Sequence, residues 1–463
     1  MIIGQLKKTK CLVLAALVLA PVAAADPFAE LESAINRQKQ AAINEKSDFE
    51  QWKQARNREF RDYKRLVREE FKAYKQMHQV AVNEYRAEIA KVWKKPEVTS
   101  ETRWVTYKPG FEQKTVVDFE QSEIRMEWPS STNSSPAGEA AEEQALNQLL
   151  TLTRKQAFEK DQVSQRVETQ GRQSLTTFET DEVEDTPILL NYLFGDSNVS
   201  DQQKDDLVKH LMSQRKEVAY KESGQDIQAL VFPLTQPETV AKNQQIKDSQ
   251  QQERKKAQAQ SGPNTNVWQT RSLGPEAANR LPKKATGLLQ AINRENQAYD
   301  LSVELILAII ETESAFNPMA RSPVPAYGLM QIVPVSAGQD ATAKIFGKPR
   351  ILSPSYLYNA ENNVKVGAAY FHILFYGYFK HIDDPRSRLY CSIAAYNTGP
   401  GNVSKALTGN SMSLKAASRV ANKMDPEQIY QHLMSNLPYE ETVHYLRKVV
   451  TRLQKYETTL SVQ

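Results

Sequence analysis

Residues 310–318 read IETESAFNP, with two glutamates two positions apart at the end of an apolar run. A carboxyl held on a buried helix face has its charged form disfavoured by desolvation, which raises its pKa into the range of a general acid. With Asp300 as N-cap, LSVELILAIIETES (301–314) is long enough for about four helical turns. Gln297, Glu304 and Glu311 then form a polar stripe, and Ile306, Ile309, Ile310 and Glu313 the apolar one. Glu311 belongs with the solvated residues, and Glu313 is the carboxylate forced onto the buried face. The competing reading is a salt-bridged or capping glutamate near a helix end. No His, Cys or metal-spaced acids lie nearby, which speaks against a metal site or a nucleophilic triad, and no cofactor is expected.

Two downstream segments have the composition of a carbohydrate groove. AYGLMQIVP (326–334) sets Gly328 before Met330 and Gln331, an apolar ledge and an amide. SIAAYNTGPGNV (392–403) ends a helix with Tyr396 and Asn397 and breaks it at Gly399, Pro400 and Gly401. Aromatic faces and amides suit sugar rings, which are apolar on their faces and polar at their edges. Taken singly, these segments also read as a buried turn and a helix stop.

Taken together, ETES-AFNP, GLMQIVP, the Asn362-Asn363-Val364 helix start with Gly367, AAYNTGPGNV and PYEETVHYLRKV resemble the catalytic domain of the soluble lytic transglycosylases in order and spacing. The resemblance implies a lysozyme-like helical domain that cleaves the β-1,4 bond between N-acetylmuramic acid and N-acetylglucosamine in peptidoglycan strands. It places the catalytic role on Glu313, and it implies that Ser314, Ser322, Gly328, Leu329, Met330, Gln331, Tyr396, Asn397 and Tyr445 hold the glycan or support the acid. Ordinary glycosidases use two carboxylates, and a single convincing one agrees with the family's non-hydrolytic route. In that route Glu313 protonates the leaving oxygen and the muramoyl N-acetyl group stabilises the cation-like centre. Glu313 then activates the C6 hydroxyl, which closes a 1,6-anhydro ring. The family often has Gly-Ala before the GLMQ turn, where Pro325-Ala326 stands here, and proline fixes φ in that loop. The alternatives are a muramidase that uses water, and a non-catalytic wall-binding or assembly protein.

The rest of the 463-residue chain must position these groups. Apolar content is 40%, charged content 25% and mean hydropathy −0.58, so globular parts alternate with long polar stretches. Residues 1–25 combine Lys7, Lys8 and Lys10, an apolar run and Ala23-Ala24-Ala25, the pattern of a cleavable export signal. The expectation is a soluble periplasmic protein beginning at Asp26, associated with the cell wall. Cys11 follows Lys10 rather than standing at the cleavage site, so no lipid anchor is expected, and Cys391 is left without a partner. Residues 276–463 hold 20 Lys plus Arg against 15 Asp plus Glu, a mild basic excess that suits an anionic polymer; nucleic acid is not an expected partner.

From 49 the chain repeats with a period of 11: FEQWKQARNRE, FRDYKRLVREE, FKAYKQMHQVA, VNEYRAEIAKV. Phe49, Phe60, Phe71 and Val82 share one column and Trp52, Tyr63, Tyr74 and Tyr85 another. That period keeps both columns on one face of a nearly straight helix, to be ended by Pro96. The face reads either as a surface for self-association or docking, or as packing inside its own domain. TRWVTYK, KTVVDFE and EIRMEW predict an antiparallel meander, 139–158 a helix, and TPILLNYLF and DIQALVF further strand or core segments. The aromatic repeat running into IAKVWKKPEVTSETRWVTYK, followed by VVDFEQSEIRMEW, resembles the domain that precedes the catalytic module in the murein transglycosylase C branch of the family. Residues 236–275, rich in Gln, Lys, Ser and Asn, read as a linker. The expected fold is multidomain: a long N-terminal helix (26–95), an α+β domain (96–235), the linker, and a mainly α lysozyme-like domain (276–463) able to fold and cleave alone.

Overall fold

The computed structural model describes residues 27–132, 138–195, 198–237 and 272–461. The expected export signal and nearly all of the expected linker lie outside these residues.

Helix α1 runs from Pro27 to Ile89, and the chain divides within it, at Glu69/Glu70, into two units. In the first unit the helix surface is largely exposed. Phe49 and Trp52 stack at 6.0 Å while 57% and 59% exposed. In the second unit the same stripe is core: Tyr74 is fully buried, and Val82, Tyr85 and Ile89 are buried with it. Tyr74 meets Phe178 at 6.4 Å, and Tyr85 meets Phe111 at 5.9 Å. The helix stops at Ile89, well before Pro96. The chain turns there so that Trp93 can enter the core, where Nε1 donates to the Phe111 carbonyl at 2.7 Å. A buried indole with its one donor satisfied ends the helix before proline can.

The alternating segments form the strands their period predicts. β1 (Arg103–Tyr107), β2 (Lys114–Asp118) and β3 (Glu123–Pro129) make the meander, joined by β5 (Lys216–Glu222) and β6 (Gln225–Pro233) in the antiparallel order β1-β2-β3-β6-β5. Trp104, Val117, Ile124 and Phe232 face one another across successive strands and are all buried, which fixes the register. Helices α2 (Glu139–Thr151), α3 (Arg154–Lys160), α4 (Gln162–Ser174), α5 (Ile188–Phe194) and α6 (Asp201–Ser213) complete this region. Two expectations change here. The single helix over 139–158 is split by the capping box at Thr153. TPILLNYLF, read as strand or core, is core but helical, with Ile188, Leu189, Leu190 and Leu193 all buried; a short apolar run has no period that separates strand from helix.

The C-terminal region is mainly α. It includes α7 (Leu289–Tyr299), α8 (Val303–Ser314), α9 (Ala360–His372), α10 (Pro385–Thr398), α11 (Pro400–Thr408) and α12 (Glu440–Ser461). It packs with the sheet region in one unit. The short strands β4 (Phe178–Glu179) and β7 (Ile351–Leu352) pair in parallel. Arg321, 2% exposed, holds both carboxylate oxygens of Asp161 at 2.7 and 2.8 Å. Glu168 accepts from Ser355 N at 3.0 Å and Ser355 Oγ at 2.7 Å.

Candidate active site

Glu313 stands in the last turn of α8. The helix is capped by Ser302, whose Oγ accepts from Leu305 N at 3.1 Å, rather than by Asp300. Asp300 sits at φ 50 and closes α7, so Gln297 lies on a different helix from Glu304 and Glu311. The expected polar stripe is therefore not one surface, and α8 is buried from Val303 through Ile310. Glu304 is buried with the rest. Glu311 is not solvated either: its side chain is 13% exposed, with Lys455 Nζ at 3.5 Å and Arg452 Nε at 4.0 Å. Burial pushes the Glu311 carboxyl up, but Lys455, Tyr456, Lys284 and Arg452 outweigh it and hold the pKa below the usual range.

Glu313 is half-buried like Glu311, but the charges around it are of the opposite sign. Burial pushes its pKa up to about 8, and the charges of Glu101 and Glu441 act in the same direction; the Tyr445 hydroxyl pulls the other way. Tyr445 is buried, and its Oη makes no well-formed hydrogen bond, although it stands beside the Glu313 carboxyl. Two glutamates two residues apart are thus separated by their surroundings: cations and a phenol keep Glu311 ionised, and desolvation with like charge keeps Glu313 protonated at neutral pH.

The GLMQ segment is a tight turn fastened to the residue after this acid and to Asn363. Ser314 Oγ donates to Ile310 O at 3.1 Å and to Leu329 O at 2.8 Å, which links the residue after the acid to the turn. Gly328 has φ +73, and a Cβ there would lie 2.3 Å from Asn363 Nδ2 and 2.4 Å from Leu357 O, so only glycine fits. Asn363 is fully buried; its Nδ2 donates to Tyr327 O and Leu357 O, and its Oδ1 accepts from Met330 N, each at 2.8 Å. Met330 lies over Gly367, where a Cβ would come within 2.3 Å of its sulfur. Gln331, at φ 46, donates through Nε2 to Gly328 O at 2.9 Å and keeps a buried Oε1 with no protein partner.

Tyr396 Oη donates to Met330 O at 2.9 Å, and its ring packs against Tyr370 and Phe371 at 5.5 and 6.2 Å. Asn397 accepts from Thr442 Oγ1 at 2.7 Å, which ties the end of α10 to the start of α12. Gly399, at φ +84, breaks α10, and a new helix begins at once at Pro400. Ser322 makes its hydrogen bonds within its own loop: its hydroxyl turns back onto the Val324 carbonyl, and its N donates to Ala326 O at 3.1 Å across the loop that holds Pro325.

The structure thus gathers Glu313, Ser314, the 328–331 turn, Tyr396, Asn397 and Tyr445. Asn363, the residue that fastens the turn, stood only in a helix-start motif. Glu441 stood in PYEETVHY without an assigned role. Glu101 carries no local signal at all, because it reaches the acid from the sheet region through the fold.

Residues 290–418, which include Glu313, match the family described as Transglycosylase SLT domain. The relatives it resembles are proteins named membrane-bound lytic murein transglycosylase C. That of Sodalis glossinidius is 42% identical over 177 residues, covering 38% of this chain and 48% of the relative. That of Klebsiella pneumoniae is 39% identical over 178 residues, with 38% and 48% covered. The chain spans about half the length of the curated relatives it matches. Among solved structures, an inactive mutant of lytic transglycosylase Slt from Pseudomonas aeruginosa gives 28% identity and a TM-score of 0.28, over 37% of this chain and 24% of that one. The 70 kDa soluble lytic transglycosylase of Escherichia coli gives 25% identity and 0.29, over 39% and 26%.

Proposed function

We propose that the protein is a peptidoglycan lytic transglycosylase that cleaves the β-1,4 bond between N-acetylmuramic acid and N-acetylglucosamine and leaves a 1,6-anhydromuramoyl end. The observation that carries this reading is Glu313: a carboxyl with its pKa raised to about 8, beside the phenol of Tyr445, on the helix whose next residue fastens the 328–331 turn.

At neutral pH the protonated Glu313 gives its proton to the glycosidic oxygen as the C1–O bond breaks. The N-acetyl oxygen shares the positive charge at C1. The Glu313 carboxylate takes the proton of the C6 hydroxyl as O6 bonds to C1, which returns the acid to its starting state without consuming water. Tyr445 eases the charged interval. Met330 and the Gln331 Oε1 are buried, so the expected apolar ledge is not formed; the 328–331 turn shapes the site from behind, and Tyr396 holds it in place through the Met330 carbonyl.

Glu313→Gln keeps the size and loses the proton, so cleavage of purified sacculi should fall by ~10²–10⁴-fold or more, with retained glycan binding. Glu311→Gln should lower stability and keep most turnover per folded molecule. An active Glu313→Gln variant would overturn the assignment.

A second reading follows from Glu101 and Glu441, which supply further carboxylates within electrostatic reach of Glu313. With one of them as a base on water, the same site would be a muramidase. In either case the chain is an exported, periplasmic protein acting on the wall, delivered by residues 1–25. No described helix is long and apolar enough to cross a membrane. The exposed part of α1 around Phe49 and Trp52 serves self-association or docking.

A further inference from the structure

The five-stranded sheet has two edges, and they differ. At β1, Val105 N donates to Thr99 Oγ1 at 3.1 Å and Arg103 O accepts from Ser100 N at 2.9 Å, so the preceding segment covers that edge. At the other end of the sheet, β5 pairs among the described residues with β6 alone. Lys216, Glu217, Val218 and Ala219 are exposed, Val218 at 40%. A row of open backbone donors and acceptors is a template for another strand.

The turn decides which groups face outward. Ser223 and Gly224, at φ 49 and 75, join β5 to β6 with Glu222 opposite Gln225. In such a two-residue hairpin the flanking pair is hydrogen-bonded, and bonded and non-bonded pairs then alternate. Glu222, Tyr220, Val218 and Lys216 therefore bond to β6. The N–H and C=O groups of Glu217, Ala219 and Lys221 point away from the sheet.

The sequence of β5, KEVAYKE, complements its own reverse. An antiparallel copy centred on Ala219 sets Lys216 opposite Glu222, Glu217 opposite Lys221 and Val218 opposite Tyr220. The outward N–H and C=O of Ala219 then meet those of its twin, and the exposed Val218 gains an aromatic neighbour. A parallel copy would set Lys216 on Lys216 and Glu217 on Glu217. Sliding the antiparallel copy by two residues loses both kinds of charge pair. The existing partners of these groups, Arg215 at 3.4 Å from Glu217 and Asp226 at 3.3 Å from Lys221, are surface pairs that hold them weakly.

We propose that β5 is a self-association surface, on which two copies of this chain join edge to edge about a two-fold axis at Ala219 and continue one sheet across both. Opposite charges at both ends of the strand select a second copy and fix its direction and register.

The test is sedimentation equilibrium of the full chain, in which a concentration-dependent dimer is expected. Lys221→Glu faces Glu217 of the other copy with like charge, twice per dimer, and should weaken association about tenfold. Adding Glu217→Lys restores opposite charges and should restore the dimer. Mild oxidation of Ala219→Cys should give a disulfide-linked dimer, and Glu217→Cys should not, because only the central residue faces itself; Cys391 is buried and does not compete. Melting temperatures measured below the association range should be equal for all these chains, which separates lost pairing from lost folding. A chain that stays monomeric at every concentration, a dimer indifferent to Lys221→Glu, a double variant that fails to recover, or equal cross-linking at positions 217 and 219 would each overturn the proposal.

Discussion

Ser314 Oγ donates to the Leu329 carbonyl at 2.8 Å, so the residue beside Glu313 and the turn that carries the buried Met330 and Gln331 move as one piece. Both partners are buried. Ser314→Ala leaves the Leu329 carbonyl without its donor, at a cost of about 1–3 kcal/mol. The expected outcome is a lower melting temperature together with a fall in kcat larger than any rise in KM. Unchanged kinetics would show that the turn does not depend on this link.

Gly328→Ala should be more damaging. The position combines φ +73 with contacts at 2.3 and 2.4 Å to any Cβ, and one of these is to backbone. A destabilisation of roughly 1–3 kcal/mol or more is expected, read by thermal melting, with loss of turnover. Gly399→Ala meets open space, so its cost is the backbone strain of a residue held at φ 84 and ψ 154, without a steric clash.

The surroundings of Glu313 set a pH dependence with a definite sign. Its folded pKa is raised to about 8 from an ordinary 4.5, so the folded state holds a proton that the unfolded chain releases. The stability this contributes is complete below about pH 4.5 and is lost as pH rises through about 8. Glu313→Gln should thus raise the melting temperature by an amount that grows between pH 5 and pH 8. Wild-type kcat/KM should fall as pH rises through about 8, because the acid form does the work. A profile flat to pH 9 would contradict the assignment of Glu313 as the proton donor.

Much of this site is legible in the sequence, and the reasons for the rest are physical. Glu313 and the GLMQ turn are local: a helical period, a glycine forced to positive φ and a hydroxyl one residue on are all written within a few positions. The alternation of TRWVTYK, KTVVDFE and EIRMEW gives the meander for the same reason. Glu311 reads as solvated in the sequence because its partners, Lys455, Arg452 and Tyr456, come from the other end of the domain. Glu101 carries no local signal because only the fold brings the sheet region near the acid. TPILLNYLF was ambiguous because a fully buried run carries no period, and Pro96 yielded to Trp93 as the helix stop because a buried indole outweighs a distant proline.

The long-range ion pair makes a prediction about autonomy. Arg321→Leu leaves Asp161 without its cation in a buried setting, and a loss of about 3–5 kcal/mol is expected, measured by denaturant unfolding. A chain of residues 270–463 alone would expose Arg321, Ser355 and strand β7, all of which pair with the sheet region. It should melt well below the full chain. Equal melting temperatures would mean that the composition break at 236–275 marks a true domain boundary.

The aromatic stripe should behave differently along its length. Tyr74→Ser removes a fully buried ring and should cost about 3–5 kcal/mol, seen as a lower melting temperature. Trp52→Ser, at a 59% exposed position, should leave the melt unchanged and lower oligomer mass or wall retention by sedimentation if that segment docks. No change in either property would remove the docking role.

The most direct test of the account is mass spectrometry of the products released from purified sacculi by the wild-type chain. A single acid that closes the C6 hydroxyl onto C1 predicts muropeptides one water lighter than hydrolytic products, and their absence with Glu313→Gln. Products carrying the added water would contradict the transglycosylase route and assign the second carboxylate's role to Glu101 or Glu441.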